Sequence, residues 1–246
     1  MPRPARNSGS LPWRMFTGTG KVRGMSTGQE IEVKRMLVGN RPIEALTALL
    51  GEGTVAKQRN FVLDTSHLDL RAARYSLRLR DQDGSYSLTA KGPSTRATAS
   101  TSVRTEAETE LAPALAAQVL EGALNPLAVL HETLTAPALL HLIAEIERAK
   151  RGRSIEVLGD FRNVRRSIPV ELPSGLQVVL ELDTTTLPNG NVEYEAEIEL
   201  GDASQAADVE AWLEQLVRKA GIQTAPATAK VARFFQALGK LQSEAK

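Results

Sequence analysis

The chain has 246 residues, 42% of them hydrophobic, enough for a sizeable buried core. Lys+Arg 30 against Asp+Glu 29 leaves a net charge of +1, so no overall field gathers nucleic acid or anionic lipid, and any anion site must be local. The absence of cysteine excludes disulfides, thiolate nucleophiles and thiolate-bound zinc.

Residues 1–24 are rich in Arg, Pro, Gly and Ser and contain no acid, which predicts a disordered basic tail. Patterned sequence opens at Met25, a candidate natural start, and a single domain is expected over 25–246. Gln29 to Leu37 alternates, with Glu30, Glu32 and Lys34 on one face and Ile31 and Val33 on the other, as a strand does. Asn40, Pro42 and Glu44 signal a helix start, and the apolar run from Ile43 to Leu50 ends at Gly51. A strand is predicted over Val55 to Asp64. Tyr75 to Asp81 and Tyr86 to Lys91 flank Asp83-Gly84, a strong hairpin signal.

Thr101 to Leu111 alternates again, placing Arg104, Glu106, Glu108 and Glu110 together, and Pro113 closes the strand. Two or three helices follow, broken at Pro126 and Pro137 and ending near Lys150. The stretch from Leu134 to Ile146 is too short for a membrane span and carries His141 and Glu145. One long strand, or two interrupted ones, is predicted over Arg153 to Glu171. Leu176 to Thr184 gives another, and Asn189-Gly190 turns the chain into Val192 to Leu200. Helices over Gln205 to Ala220 and Ala227 to Leu241 finish the pattern. Cytoplasmic residence, with neither membrane nor nucleic acid as partner, fits these features.

Each strand has one charged and one apolar face. Arg78 and Arg80 share a face, as do Ser87, Thr89 and Lys91, then Glu181 and Asp183, then Glu193, Glu195, Glu197 and Glu199. An antiparallel sheet with its charged side in water explains alternation in any single strand. It explains the set less well, because glutamate is depleted in strands and carboxylates two residues apart repel by about 2 kcal/mol at an effective dielectric of 20. A closed barrel with charges inside and apolar faces beneath outer helices accounts for all the strands at once. Carboxylates in such an interior suit hard cations, and Arg and Lys suit phosphate oxygens.

EIEVK at Glu30 to Lys34, QRNFVLDT at Gln58 to Thr65, LRLR at Leu77 to Arg80 and LTAKGP ending at Pro93 occur in order. FRNVRR at Phe161 to Arg166, LELD at Leu180 to Asp183, YEAEIEL at Tyr194 to Leu200 and TAKVARFF around Lys230 follow. This series resembles the CYTH domain of the triphosphate tunnel metalloenzymes, from about Gln29 to Lys240. The resemblance implies an α+β fold: a closed antiparallel eight-stranded β-barrel forming a triphosphate tunnel, with helices packed outside. It implies metal-dependent hydrolysis of a linear triphosphate, inorganic triphosphate foremost, with Mg²⁺ or Mn²⁺ as cofactor. Thiamine triphosphatase, class IV adenylate cyclase and a non-catalytic polyphosphate-binding module are the alternatives.

Carried over by position, Glu30, Glu32, Glu195, Glu197 and Glu199 match metal carboxylates, with Glu197 and Glu199 favoured on the last strand. Lys34, Arg78, Arg80, Lys91, Arg165 and Lys230 match phosphate contacts, and Arg104 is a further basic candidate. Glu106, Glu108 and Asp183 are candidates for orienting the attacking water. Arg162 and Arg166 share a face opposite Arg165, so a bulge would change that assignment; motif position favours Arg165. Arg59 matches the motif in position but shares parity with Phe61 and Leu63, so it reads at least as well as a packed, snorkelling arginine.

Overall fold

The alternation of charged and apolar residues produces strands throughout. The computed structural model describes residues 28–98 and 100–244, so the predicted tail at 1–24 and the Met25 start lie outside the described residues. In chain order the strands are β1 (Gln29–Val38), β2 (Thr54–Asp64), β3 (Ser76–Gln82), β4 (Ser85–Lys91) and β5 (Thr95–Arg96). They continue as β6 (Thr101–Leu111), β7 (Glu156–Glu171), β8 (Gln177–Thr186), β9 (Val192–Leu200) and β10 (Gln223–Pro226). The helices are α1 (Pro42–Leu50), α2 (Asp69–Ala72), α3 (Pro113–Leu120), α4 (Pro126–Thr133), α5 (Pro137–Ala149), α6 (Ala206–Lys219) and α7 (Lys230–Glu244).

Eight strands close an antiparallel ring in the order β1-β9-β8-β7-β2-β3-β4-β6, which returns to β1. One edge of β1 is divided: Gln29 to Val33 pair with β6, and Arg35 to Val38 pair with the short β10. Between them the Lys34 amide donates to the Ser100 carbonyl at 3.0 Å, so no ladder position is left open there. The long β7 is one strand whose register against β2 shifts once, between Val62 and Leu63, where Leu158 is the extra residue. That irregularity lies before Phe161, so Arg165 keeps the parity of Asn163 and the segment from Phe161 to Arg166 needs no bulge.

Two apolar cores lie outside the ring. Leu77, Leu79, Leu88, Ala90 and Ala107 turn outward beneath α3, α4 and α5. Val33, Leu180, Leu182, Ala196 and Ile198 turn outward beneath α6 and the buried Leu46 of α1. The α1 start differs from the predicted signature in one respect. Its cap is Arg41, in a left-handed conformation with no side-chain cap bond, and Asn40 does not cap it.

A third, smaller core lies at one end of the barrel, where β2 finishes and β3 begins. Phe234, Phe235 and Ala237 of α7 pack there on Val62, Phe161 and Leu187. Gly159 lets the Phe234 ring approach closely, since a Cβ there would lie 3.2 Å from it, tighter than an ordinary contact. Phe234→Ala should therefore destabilise the chain by about 3–5 kcal/mol, read from denaturant unfolding. A loss below about 1 kcal/mol would show that α7 is not packed as an integral part of this core.

Candidate active site

Register decides which side chains enter the barrel. Glu32 lies across from Glu199, Lys34 from Glu197, Glu195 from Asp183 and Asp183 from Arg165. Asn60 lies across from Arg80, Arg78 from Thr89, Lys91 from Glu106 and Glu30 from Arg104. Tunnel and mouth grooves together enclose about 4050 Å³. The predicted wet faces are thus a charged lumen.

On the wall formed by β1 and β9, one oxygen each from Glu30, Glu32 and Glu197 lie within 4.8 Å of one another. Lys91 Nζ stands 2.7 Å from Glu30, Arg104 Nε 2.5 Å from Glu30, and Lys34 Nζ 2.7 Å from Glu32. Burial alone would raise the Glu30 carboxyl, but Lys91 and Arg104 outweigh it and hold the group well below the usual range. Glu32 is different. It is only 2% exposed, its Oε2 has no hydrogen-bond partner, and burial together with Glu197 and Glu30 raises its pKa against the pull of Lys34 and Arg104. An orphaned carboxylate oxygen among three converging carboxylates fits a hard divalent cation.

A second carboxylate group, Asp183, Glu195 and Glu197, also lies within 4.8 Å but is already occupied by protein cations. Lys230 from α7 contacts Asp183 at 2.9 Å, Glu197 at 2.9 Å and Glu195, while Arg233 reaches Glu195 at 2.8 Å and Glu193 at 2.7 Å. Arg165 clasps Asp183 with Nε at 2.9 Å and Nη2 at 2.7 Å, and also contacts Glu181 and Glu197. Burial pushes the Asp183 carboxyl up, yet Lys230 and Arg165 hold it well below the ordinary carboxylate range. Burial lowers the Lys230 ammonium, and Asp183, Glu195 and Glu197 more than reverse this.

Among the described residues, the arginines of the facing wall make no ion pair. Arg78 Nε is buried without a partner, and Nη2 makes only a 3.5 Å contact with Thr89. Arg80 donates to the neutral Asn60 at 3.2 Å. Burial, with Arg78 and Arg165 nearby, lowers the Arg80 guanidinium to about 9 despite Glu108 and Asp183. A guanidinium depressed so far is calling for an anionic partner.

All fourteen candidates named from the sequence face or rim this lumen, but they do not form one group. Glu199 is exposed at the mouth and lies outside both carboxylate trios. Glu106 meets Lys91 at 3.0 Å and is raised by burial and by Glu30, while Glu108 accepts from Thr89 at 2.8 Å. Arg104, only a secondary candidate, bridges Glu30 and Glu32. Arg233 was not foreseen; its position three residues after Lys230, on the same helical face, was the available signal. Asn163, which donates to both Asp183 and Gln58, carried no signal beyond strand parity. Arg59 lies outside, over the Phe61 ring at 4.7 Å and paired with Asp160, as its parity implied.

With this geometry in place, comparison with known proteins is decisive for family. The CYTH domain profile matches residues 28–235. The chain belongs to the CYTH family. A proposed adenylyl cyclase from Hippeastrum with a dominant triphosphatase activity is similar in structure: TM-score 0.67 at 27% identity, covering 84% of this chain and 95% of that one. A proposed adenylate cyclase from Bacillus halodurans shares the fold with a TM-score of 0.61 at 22% identity, covering 85% of this chain and all (100%) of that one. Among curated proteins no sequence match was found. No helix among the described residues is long and apolar enough to cross a membrane.

Asp183→Asn leaves Arg165 and Lys230 buried beside a neutral amide, which should cost about 3–5 kcal/mol in metal-free buffer. The Asp183 and Glu197 carboxyls titrate below their unfolded values, so their contribution is complete above about pH 4 and is lost as pH falls through the folded pKa. Urea midpoints measured from pH 7 downward should fall steeply in the wild type and less steeply in Asp183→Asn. Parallel curves would remove Asp183 from the network.

Proposed function

We propose that this CYTH protein hydrolyses a linear triphosphate, inorganic triphosphate foremost, with Mg²⁺ or Mn²⁺ held by Glu30, Glu32 and Glu197. The observation that carries the reading is the split lumen: an orphaned, raised Glu32 carboxylate on one wall and under-compensated Arg78 and Arg80 on the other. A metal-bound triphosphate supplies what each wall lacks. The triphosphatase activity of the Hippeastrum protein supports the choice of reaction.

Phosphoryl transfer to water needs neutralised phosphate oxygens and an in-line nucleophile more than covalent chemistry from the protein. Arg78 and Arg80 form the primary clamp, because among the described residues neither makes an ion pair. Lys34, Lys91, Arg104, Arg165 and Lys230 are each ion-paired and act as a fixed positive field around the clamp. When bound, the cation would neutralise phosphate oxygens as a Lewis acid. Glu106, half-buried and raised, is the better placed of the sixth-strand glutamates to orient water and take its proton. Asp183, with both oxygens held by cations, positions Arg165 and Lys230 instead of handling the water. Glu195 likewise anchors Lys230 and Arg233, and Glu199 guards the mouth.

Phosphate release from inorganic triphosphate, ATP, thiamine triphosphate and pyrophosphate, with Mg²⁺, Mn²⁺ or EDTA, tests the proposal, with cyclic AMP measured from ATP in the same samples. Release should require metal and be greatest from inorganic triphosphate. Glu32→Gln should lower turnover by about 100-fold or more with the fold intact. Lys91→Ala should act mainly on KM, raising it by roughly tenfold. Cyclic AMP as the main product would move the chain to the cyclases, and triphosphate binding without release would make it a binding module.

A further inference from the structure

The two oxygens of Glu32 are treated differently by the protein. Oε1 accepts from Ser102 Oγ at 2.9 Å and from Arg104 Nη2 at 3.2 Å, and Lys34 Nζ lies 2.7 Å from it, whereas Oε2 has no partner. Loading one oxygen is what reserves the other for a cation. Lys34 and Arg104 are drawn to Glu32 by charge. Ser102 is the neutral donor of the three, so its place depends on what holds its own backbone.

That hold lies outside the barrel. Successive residues of a strand face opposite sides, and in the β1–β6 register Ser102 stands across from Glu32 and Thr101 from Val33. Ser102 therefore enters the lumen, while Thr101, only 1% exposed, turns outward and donates to Glu210 of α6. Thr98 Oγ1 donates to the same carboxylate oxygen and accepts from the amides of Ser100 at 3.2 Å and Thr101 at 2.9 Å. Burial would raise the Glu210 carboxyl, but the Thr101 and Thr98 hydroxyls outweigh it, so the acceptor stays ionised. Val209 and Leu213, buried on the same helix, seat α6 on the outer core. Glu210 thus grips the start of β6 at the residue next to the one that bonds Glu32.

We infer that Ser102 positions Glu32 for its cation, and that Glu210, outside the barrel, positions Ser102 through Thr101. The inference rests on the metal reading of Glu30, Glu32 and Glu197 above. Both residues act through another group. Without the Ser102 hydroxyl, Oε1 loses a donor, and Lys34 and Arg104 can divide between the two carboxylate oxygens, so that Oε2 is no longer reserved. Without the Glu210 carboxylate, the peptide joining Thr101 to Ser102 loses its outer anchor and the Ser102 hydroxyl loses its aim.

Mn²⁺ binding to the full chain without substrate, by calorimetry, reads this positioning apart from turnover, with circular dichroism checking that each variant is folded. Ser102→Ala and Glu210→Ala should each weaken Mn²⁺ binding about tenfold. Glu210→Gln keeps the accepting oxygen and should bind nearly as wild type does. Thr101→Val keeps the shape without the hydroxyl and should behave as Glu210→Ala, which preserves the test if Glu210→Ala does not fold. Because Glu210 acts through Ser102, adding Glu210→Ala to Ser102→Ala should cost little more than Ser102→Ala alone. Wild-type affinity in Ser102→Ala would overturn the inference with the metal reading intact. Wild-type affinity in Thr101→Val, or a loss of about 100-fold in the double variant, would overturn the route from Glu210 and reduce it to a docking contact. A wild type that takes up no Mn²⁺ would sink the metal reading itself, and this inference with it.

Discussion

Burying charge is the constraint from which this architecture follows. An isolated ion in a low-dielectric interior costs several kcal/mol even after relaxation, and only close counter-charges and hydrogen bonds offset that cost. Arg165, Asp183 and Lys230 satisfy it by mutual contact, with Asn163 holding a further carboxylate lone pair. Such a network fixes register. A one-residue slip of β8 would carry Asp183 into the outer apolar core and Leu182 into the lumen. Since the strands spend their charged faces inward, their apolar faces need cover from outside, and the helices between β6 and β7 and after β9 provide it.

Docking of α7 belongs to the same electrostatic problem. Glu193, Glu195 and Glu197 stand at alternate positions on β9, where three carboxylates would repel without compensation. Lys230 and Arg233 arrive from α7 to contact all three, while Phe234 on the neighbouring helical face packs on Val62 and Phe161. Apolar docking and charge pairing are thus one event. What α7 does not reach is Glu32 on β1 or Arg78 and Arg80 on β3, and those are the groups left unbalanced.

The barrel was legible because period-2 alternation is a physical record of two environments, and because Asp83-Gly84 adopts the paired positive φ values that a two-residue hairpin needs. Facial parity alone puts Arg78, Lys91 and Glu197 in one lumen. It could not rank them, because parity says nothing about depth. Glu197 is enclosed while Glu199, two residues on, stands in solvent at the mouth. Nor could it show that Arg104 sits opposite Glu30, since that depends on how far β6 is sheared against β1. The strand β10 escaped notice because four residues ending in proline carry no alternation, and α2 because it is a single turn. Arg233 was hidden by a helical period that mixes it with core residues.

Stability alone would not select such an interior. Well-packed apolar residues commonly equal or surpass a buried ion pair, and an unpaired buried ion is worse than either. The network around Asp183 approaches balance, but the walls bearing Glu32 and Arg78 do not, and their imbalances are of opposite sign across one cavity. Pairing these walls directly would relieve both and fill the space between them. Keeping them apart stores unfavourable energy that a ligand carrying cation and anion together can release on binding. Preorganised charge of this kind also requires no reorganisation when negative charge shifts during phosphoryl transfer. On the proposed function, the same separation of unbalanced charge is what would fit the tunnel to a metal-bound phosphate chain.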